Sequence, residues 1–258
     1  MSDDREMTVV EHLTELRRRI IWVLVVFVAA LIVGFFAAGP IVEYLKEKPI
    51  TEGVPLISLH PSDALRVYMQ FAFLIGVVVT LPFALYQTWL FVSPGLRDNE
   101  RRVTLMFIPA ACVLFVVGLL FGYYVVFPMV MQFVSGISLG MDIKPNYGIA
   151  EYFGFLMNMV IPFGFLFELP IVVMFLTRLR ILNPVRLAKV RRIAYFGLAV
   201  VGVTLTPPDI VSDILVIIPL LLLYELSVWL SRIVYRKQLK EDETWEKEYG
   251  WEADEAVR

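Results

Sequence analysis

Ile20–Ala38 reads IIWVLVVFVAALIVGFFAA, nineteen residues without a charge. At 1.5 Å per residue a helix of this length covers about 28 Å, close to the ~30 Å hydrocarbon core of a bilayer. Five further apolar runs follow at Phe71–Phe91, Leu105–Phe127, Phe153–Thr177, Ile193–Thr206 and Ile214–Leu230. A water-soluble core cannot bury six helices that are hydrophobic all round. Composition agrees: 59% of the chain is apolar and the mean hydropathy is +0.73, against about 45–50% apolar for a soluble domain. The sequence therefore predicts an all-α integral membrane protein with six transmembrane helices.

The fifth run is short, about 21 Å as a straight helix. Thr206-Pro207-Pro208-Asp209 breaks the chain directly after it. Spans five and six are expected to form a short hairpin, accommodated by local thinning or tilted packing. Pro207, Pro208 and Asp209 are placed in its outer, periplasmic turn.

Charge sets the expected topology. Of the 23 Lys and Arg residues, nineteen fall on one side of the barrier if the N-terminus is inside; only Lys46, Lys48, Arg66 and Lys144 fall on the other. The positive-inside rule then puts both termini in the cytoplasm. The longer, sparsely charged outer loops are expected at Pro40–Gln70 and Pro128–Tyr152. The last stretch, Gln238–Arg258, carries eight acids and three bases. Residues 1–237 are read as the membrane domain, and 238–258 as an acidic, disordered cytoplasmic tail. The first apolar run has no small-residue cleavage site after it and reads as a permanent span. Cys112 lies within an apolar run, and one cysteine permits neither an intrachain disulfide nor a cysteine metal site.

Searches for catalytic chemistry find little. His12 and His60 are the only histidines, and there is no H-E-x-x-H, no phosphate-binding G-x-x-x-x-G-K-[ST] and no G-x-S-x-G elbow. Ser58, His60 and Asp63 share one short outer loop, whereas triad members converge from distant segments; turn and cap chemistry explains them. No enzyme, metal or cofactor is expected, and no nucleic-acid motif is present.

Several acids remain. Thr8 and Glu11 fit a capping box opening the first helix. On that helix Glu11, Glu15, Arg18 and Arg19 share a face and Arg17 points elsewhere. Spacing alone reads Glu15 as an i,i+4 partner for Arg19, and Glu100 as a carboxylate favoured by the N-terminal dipole of span three. Glu168, in Phe167-Glu168-Leu169-Pro170, is an intramembrane acid, which by default marks a functional position. Pro170 frees a backbone carbonyl there, so a kink or a wet cavity nearby is expected. Gln87 and Glu225 are polar companions in the cytoplasmic halves of spans two and six.

Motifs coincide at this point. His12-Leu13-Thr14-Glu15-Leu16-Arg17-Arg18-Arg19 resembles the opening of the TatC family, the multispanning subunit of the twin-arginine protein translocase. Tyr86 through Leu96, Glu100-Arg101-Arg102, Phe127-Pro128, Phe167-Glu168-Leu169-Pro170 and Leu205-Thr206-Pro207-Pro208-Asp209 resemble that family in the same order. The resemblance covers about Thr8–Arg236. It implies a cell-membrane subunit that recognises signal peptides with consecutive arginines on folded cargo. It also implies single-span partners of the TatA and TatB type, self-association in the translocase, and transport driven by the proton-motive force without ATP. It assigns peptide binding to Glu15 and Glu100, with Arg17, Arg101 and Arg102 shaping the same cytoplasmic patch. Two planar guanidinium groups find their best partners in carboxylates that accept bidentately. An exposed pair yields only ~0–1 kcal/mol, so both acids are expected in a recess near the headgroups. The competing reading is an ion-coupled transporter of a small solute with Glu168 as proton carrier; the lack of an internal repeat argues against it.

Overall fold

A computed structural model describes residues 9–47, 56–95, 101, 104–142 and 146–255. It divides into two compact units, residues 1–164 and 165–258.

In the first unit, α1 (Val9–Glu47) packs along α2 (Asp63–Val92). Both are long, uninterrupted apolar helices, and both carry an internal proline, Pro40 and Pro82. Close packing at their crossing depends on absent side chains. A Cβ on Gly34 would stand 2.9 Å from the Ala72 carbonyl oxygen and 3.1 Å from Ile75 Cβ. Where lipid is as apolar as the helix surface, such small-residue contacts supply the van der Waals attraction that holds helices together.

The chain then forms α3 (Phe107–Phe121), one π turn (Gly122–Val126) and α4 (Phe127–Gly140). A two-residue strand, β1 (Leu56–Ile57), pairs in parallel with β2 (Tyr147–Gly148). Helix α5 (Ile149–Leu166) follows. Phe71, Phe115, Phe127, Phe153, Phe163 and Met159 are the largest fully buried side chains of this unit.

Two expected outer loops are shorter than the sequence suggested. Helix α1 continues through Pro40 to Glu47, so that loop cannot begin at Pro40. Helix also persists from Phe127 to Gly140, where a loop was expected from Pro128. Pro128 falls in the first turn of α4, where its missing N–H is not required. The π turn before it absorbs the change of register.

In the second unit, α6 (Leu169–Arg178) ends in Leu179 and in Arg180, whose φ is 60°. The Ile181 N–H reaches back to the Leu176 carbonyl, closing the helix in the manner of a left-handed cap. Asn183 caps the short α7 (Pro184–Lys189) by accepting from the Val185 N–H at 2.9 Å. Helix α8 (Arg191–Leu205) leads into the Thr206–Asp209 break. Asp209 Oδ1 accepts the Ser212 N–H at 2.7 Å and so caps α9 (Ile210–Glu255). Thr206 Oγ1 donates to Asp213 Oδ1 at 2.5 Å, fastening the turn from its other side.

Only α8 is short. Its 15 residues span about 22 Å. Helix α9 is the longest among the described residues at 46 residues, which corrects the expectation of a short sixth helix. The same helix runs on through Gln238 into the acidic stretch, as far as Glu255. Gln238, the first residue assigned to that tail, is buried, and its Nε2 donates to the Arg178 carbonyl at 2.7 Å. About two turns earlier, Ser231 Oγ and Thr177 Oγ1 are 2.7 Å apart, both buried. These contacts carry α9 past the end of its apolar run.

Among the described residues five helical stretches are long and apolar enough to cross a membrane: His12–Lys46, Asp63–Val92, Phe107–Gly140, Ile149–Arg178 and Ile210–Lys240. Gly34→Leu should force α1 from α2 and cost about 1–3 kcal/mol. Thermal unfolding in detergent checks this, with Gly136→Leu as the control, since nothing lies within 4 Å of a Cβ there. Equal melting temperatures for the two variants would contradict the packing account.

Candidate functional site

The N-terminal end of α1 is stitched to the C-terminal end of α2. The His12 ring stacks on Phe91 with centroids 4.2 Å apart. Two turns further along α1, Arg19 reaches both helices. Its Nε donates to Glu15 Oε1 at 3.0 Å, and its Nη2 reaches the same oxygen. Its Nη1 donates to Gln87 Oε1 on α2 at 3.1 Å. The i,i+4 pairing expected from the spacing is therefore present, and Gln87 completes it.

This pair is not a solvated surface contact. The side chains of Arg19 and Glu15 are 19% and 25% exposed. Leu16, Ile20, Val23, Ala84 and Phe91 line a groove of about 250 Å³ alongside Arg19 and Gln87. Partial desolvation strengthens a charge-assisted hydrogen bond relative to its value in water. Arg17 and Arg18 are exposed. Glu100 and Arg102 lie outside the described residues, as do Thr8 and the side chain of Glu11.

Arg101, the described neighbour of Glu100, is placed by a contact that pattern reading overlooked. Its guanidinium lies over the Trp89 ring, 5.7 Å from the centroid. Trp89 is buried, and its Nε1 donates to Thr104 Oγ1 at 3.1 Å. Thr104 Oγ1 in turn donates to the Arg101 carbonyl at 3.1 Å. Trp89 thus holds the chain on the far side of the loop to the end of α2. The available signal was a tryptophan at the end of an apolar run: its one donor must find a partner when buried.

The remaining polar candidates fall into different settings. Glu168 sits between α5 and α6, where the helix breaks as the Phe-Glu-Leu-Pro sequence predicted. It is buried, and its Oε1 has no hydrogen-bond partner among the described residues. Pro170 has no N–H to offer the Leu166 carbonyl, which accounts for the break. Glu225 is instead fully engaged. Arg191 Nη2 donates to its Oε2 at 2.8 Å, and the Tyr195 hydroxyl donates to its Oε1. Tyr224 donates to the Leu187 carbonyl at 2.9 Å beside the Leu187–Tyr224–Val228 cluster. Glu225 therefore fastens α8 to α9.

The Ser58–Asp63 segment is held together by its own hydrogen bonds. Asp63 Oδ2 accepts the N–H groups of Leu59 and His60 at 2.7 and 2.8 Å, and Ser58 Oγ donates to the His60 carbonyl at 3.1 Å. Turn and cap chemistry accounts for these residues, as the sequence indicated.

Long apolar helices joined by short caps, with charge-assisted contacts concentrated at helix ends, define a helical multi-pass membrane protein. Its relatives narrow the class. The family model of the Sec-independent protein translocase protein (TatC) matches residues 11–219. The TatC protein of Halalkalibacterium halodurans is 48% identical over 250 residues, covering 97% of this chain and 99% of that protein. TatCy of Bacillus subtilis is 48% identical over 235 residues, with 91% and 92% covered. A crystal structure of the twin-arginine translocase receptor TatC in DDM superposes with a TM-score of 0.78 at 32% identity, covering 86% of this chain and 99% of that one. The chain belongs to the TatC family of Sec-independent protein translocases.

Thr104→Val should leave the buried Trp89 N–H unpaired and cost about 1–3 kcal/mol. Adding Trp89→Phe removes the donor as well. The double variant should then lose less than the sum of the two single losses, read from thermal unfolding. Strict additivity would show that the hydrogen bond contributes nothing.

Proposed function

We propose that this protein is the receptor subunit that captures leader peptides bearing consecutive arginines, with Glu15 and Glu100 as guanidinium acceptors. Arg17, Arg101 and Arg102 shape the surrounding patch and keep it from holding any cation indiscriminately. The observation that carries this reading is the state of Glu15: a half-buried carboxylate at a helix end that already accepts a guanidinium. The similar crystal structure is that of a twin-arginine translocase receptor, which points the same way.

The proposed setting is a bacterial cell membrane crossed six times, with α8 as the fifth crossing and both termini in the cytoplasm. The nineteen-to-four division of Lys and Arg supports that orientation. The apolar groove beside Arg19 lies where the hydrophobic part of a leader would follow its arginines. Glu168, buried without a hydrogen-bond partner for Oε1 among the described residues, is a polar foothold for a partner helix. The short α8 and the edge of α9 are proposed to receive single-span partners of the TatA and TatB type, in a translocase energised by the proton-motive force.

A charge-assisted hydrogen bond contributes ~1.5–3 kcal/mol, or about ten- to a hundredfold in affinity. Glu15→Gln with Glu100→Gln should weaken binding of a twin-arginine leader to purified full-length protein by at least that factor, measured by fluorescence anisotropy. Photo-cross-linking from position 18, exposed on the same face of α1 as Glu15, should label a twin-Arg precursor and spare its twin-Lys control. Undiminished binding by the double Gln variant would refute the assignment.

A further inference from the structure

We propose that Arg19 is a built-in competitor for Glu15, so that leader capture is an exchange of one guanidinium for another. This rests on the reading of Glu15 as an acceptor for leader arginines. Arg19 directs Nε and Nη2 at a single oxygen, Glu15 Oε1, while Oε2 carries no hydrogen bond among the described residues. A guanidinium arriving in the two-pronged geometry needs both oxygens. The leader therefore cannot take its full set of bonds until Arg19 releases Oε1.

Arg19 has a second seat ready. Its Nη1 already donates to Gln87 Oε1 at 3.1 Å, and Arg19 and Gln87 line the same groove. On release the Arg19 head keeps a hydrogen bond on α2, so the exchange strands no cation in a partly dry site. Without Gln87, displacement would leave the guanidinium unpaired, which is the costly outcome at such sites.

The exchange sets a threshold. A ligand must return more than the two bonds Arg19 gives up. A leader arginine does so with a fork of matching geometry. A lysine ammonium, a compact point charge, offers no matched pair of donors. Cationic segments that merely drift to the surface stay below the threshold, and Arg19 becomes a specificity-determining residue for the receptor.

The two helices give the test opposite signs. Leader affinity is measured by anisotropy on the full-length protein in lipid nanodiscs, using labelled twin-Arg and twin-Lys leader peptides. Arg19→Gln is expected to tighten the twin-Arg leader by about threefold or more, and to bring the twin-Lys leader into measurable range. Gln87→Leu, which leaves the Arg19–Glu15 pair in place but removes the second seat, is expected to weaken the twin-Arg leader by a similar factor. A purely structural role for Arg19 would make both substitutions weaken binding. Unchanged or weaker binding with Arg19→Gln overturns the proposal. If that variant fails to fold, unchanged or tighter binding with Gln87→Leu overturns it alone. Glu15→Gln separates the two layers. Weaker binding there, without tightening in Arg19→Gln, sinks only the exchange; unaltered binding in Glu15→Gln sinks the acceptor reading with it.

Discussion

Arg19 makes the contact on which the rest of the site depends. Its guanidinium spans two helices, with Glu15 on its own helix and Gln87 on the next. A flexible pair exposed to water would contribute little. Here the helices on either side are rigid, and their close approach at Gly34 holds their separation. Side-chain entropy is the usual cost of a salt bridge, and much of it is already met by packing in this recess. Backbone geometry tens of ångströms along α1 thus decides whether an acid at its end can act as a positioned acceptor.

The second unit uses its polar side chains differently. Thr177 with Ser231, Gln238 with the Arg178 carbonyl, and Glu225 with Arg191 and Tyr195 are all fasteners between helices. Each pairs a group that would be expensive to leave bare in an apolar setting. Glu168 departs from this pattern, since one of its buried oxygens goes without a hydrogen-bond partner among the described residues. Within one chain, acids that resemble each other in sequence therefore divide into a positioned acceptor, a fastener and an unsatisfied group. The division follows from which elements face them, not from the residue type.

Much of this was legible from the amino-acid order. Uncharged runs gave the helices, the i,i+4 step gave Glu15 with Arg19, and Pro-Pro-Asp gave the break capped by Asp209. Local signals of this kind act over a few residues. What escaped depends on partners distant in sequence or on small adjustments of the backbone. Pro128 reads as a helix stop, yet a π turn lets the helix continue through it. Gln238 reads as the start of a solvated tail, yet it is buried against a carbonyl sixty residues away. Trp89 ends an apolar run with a donor that needs a partner, but which partner appears only when Thr104 and Arg101 return beside it.

The central claim is that the carboxylate of Glu15 distinguishes a planar guanidinium fork from any other cation. The most direct measurement is the ratio of affinities for twin-Arg and twin-Lys leaders, taken on the wild-type protein and on Glu15→Gln at the same ionic strength. The account predicts a ratio of about ten or more in the wild type, collapsing toward unity in the variant. A preference for arginine that survives intact when Glu15 is neutral would contradict it.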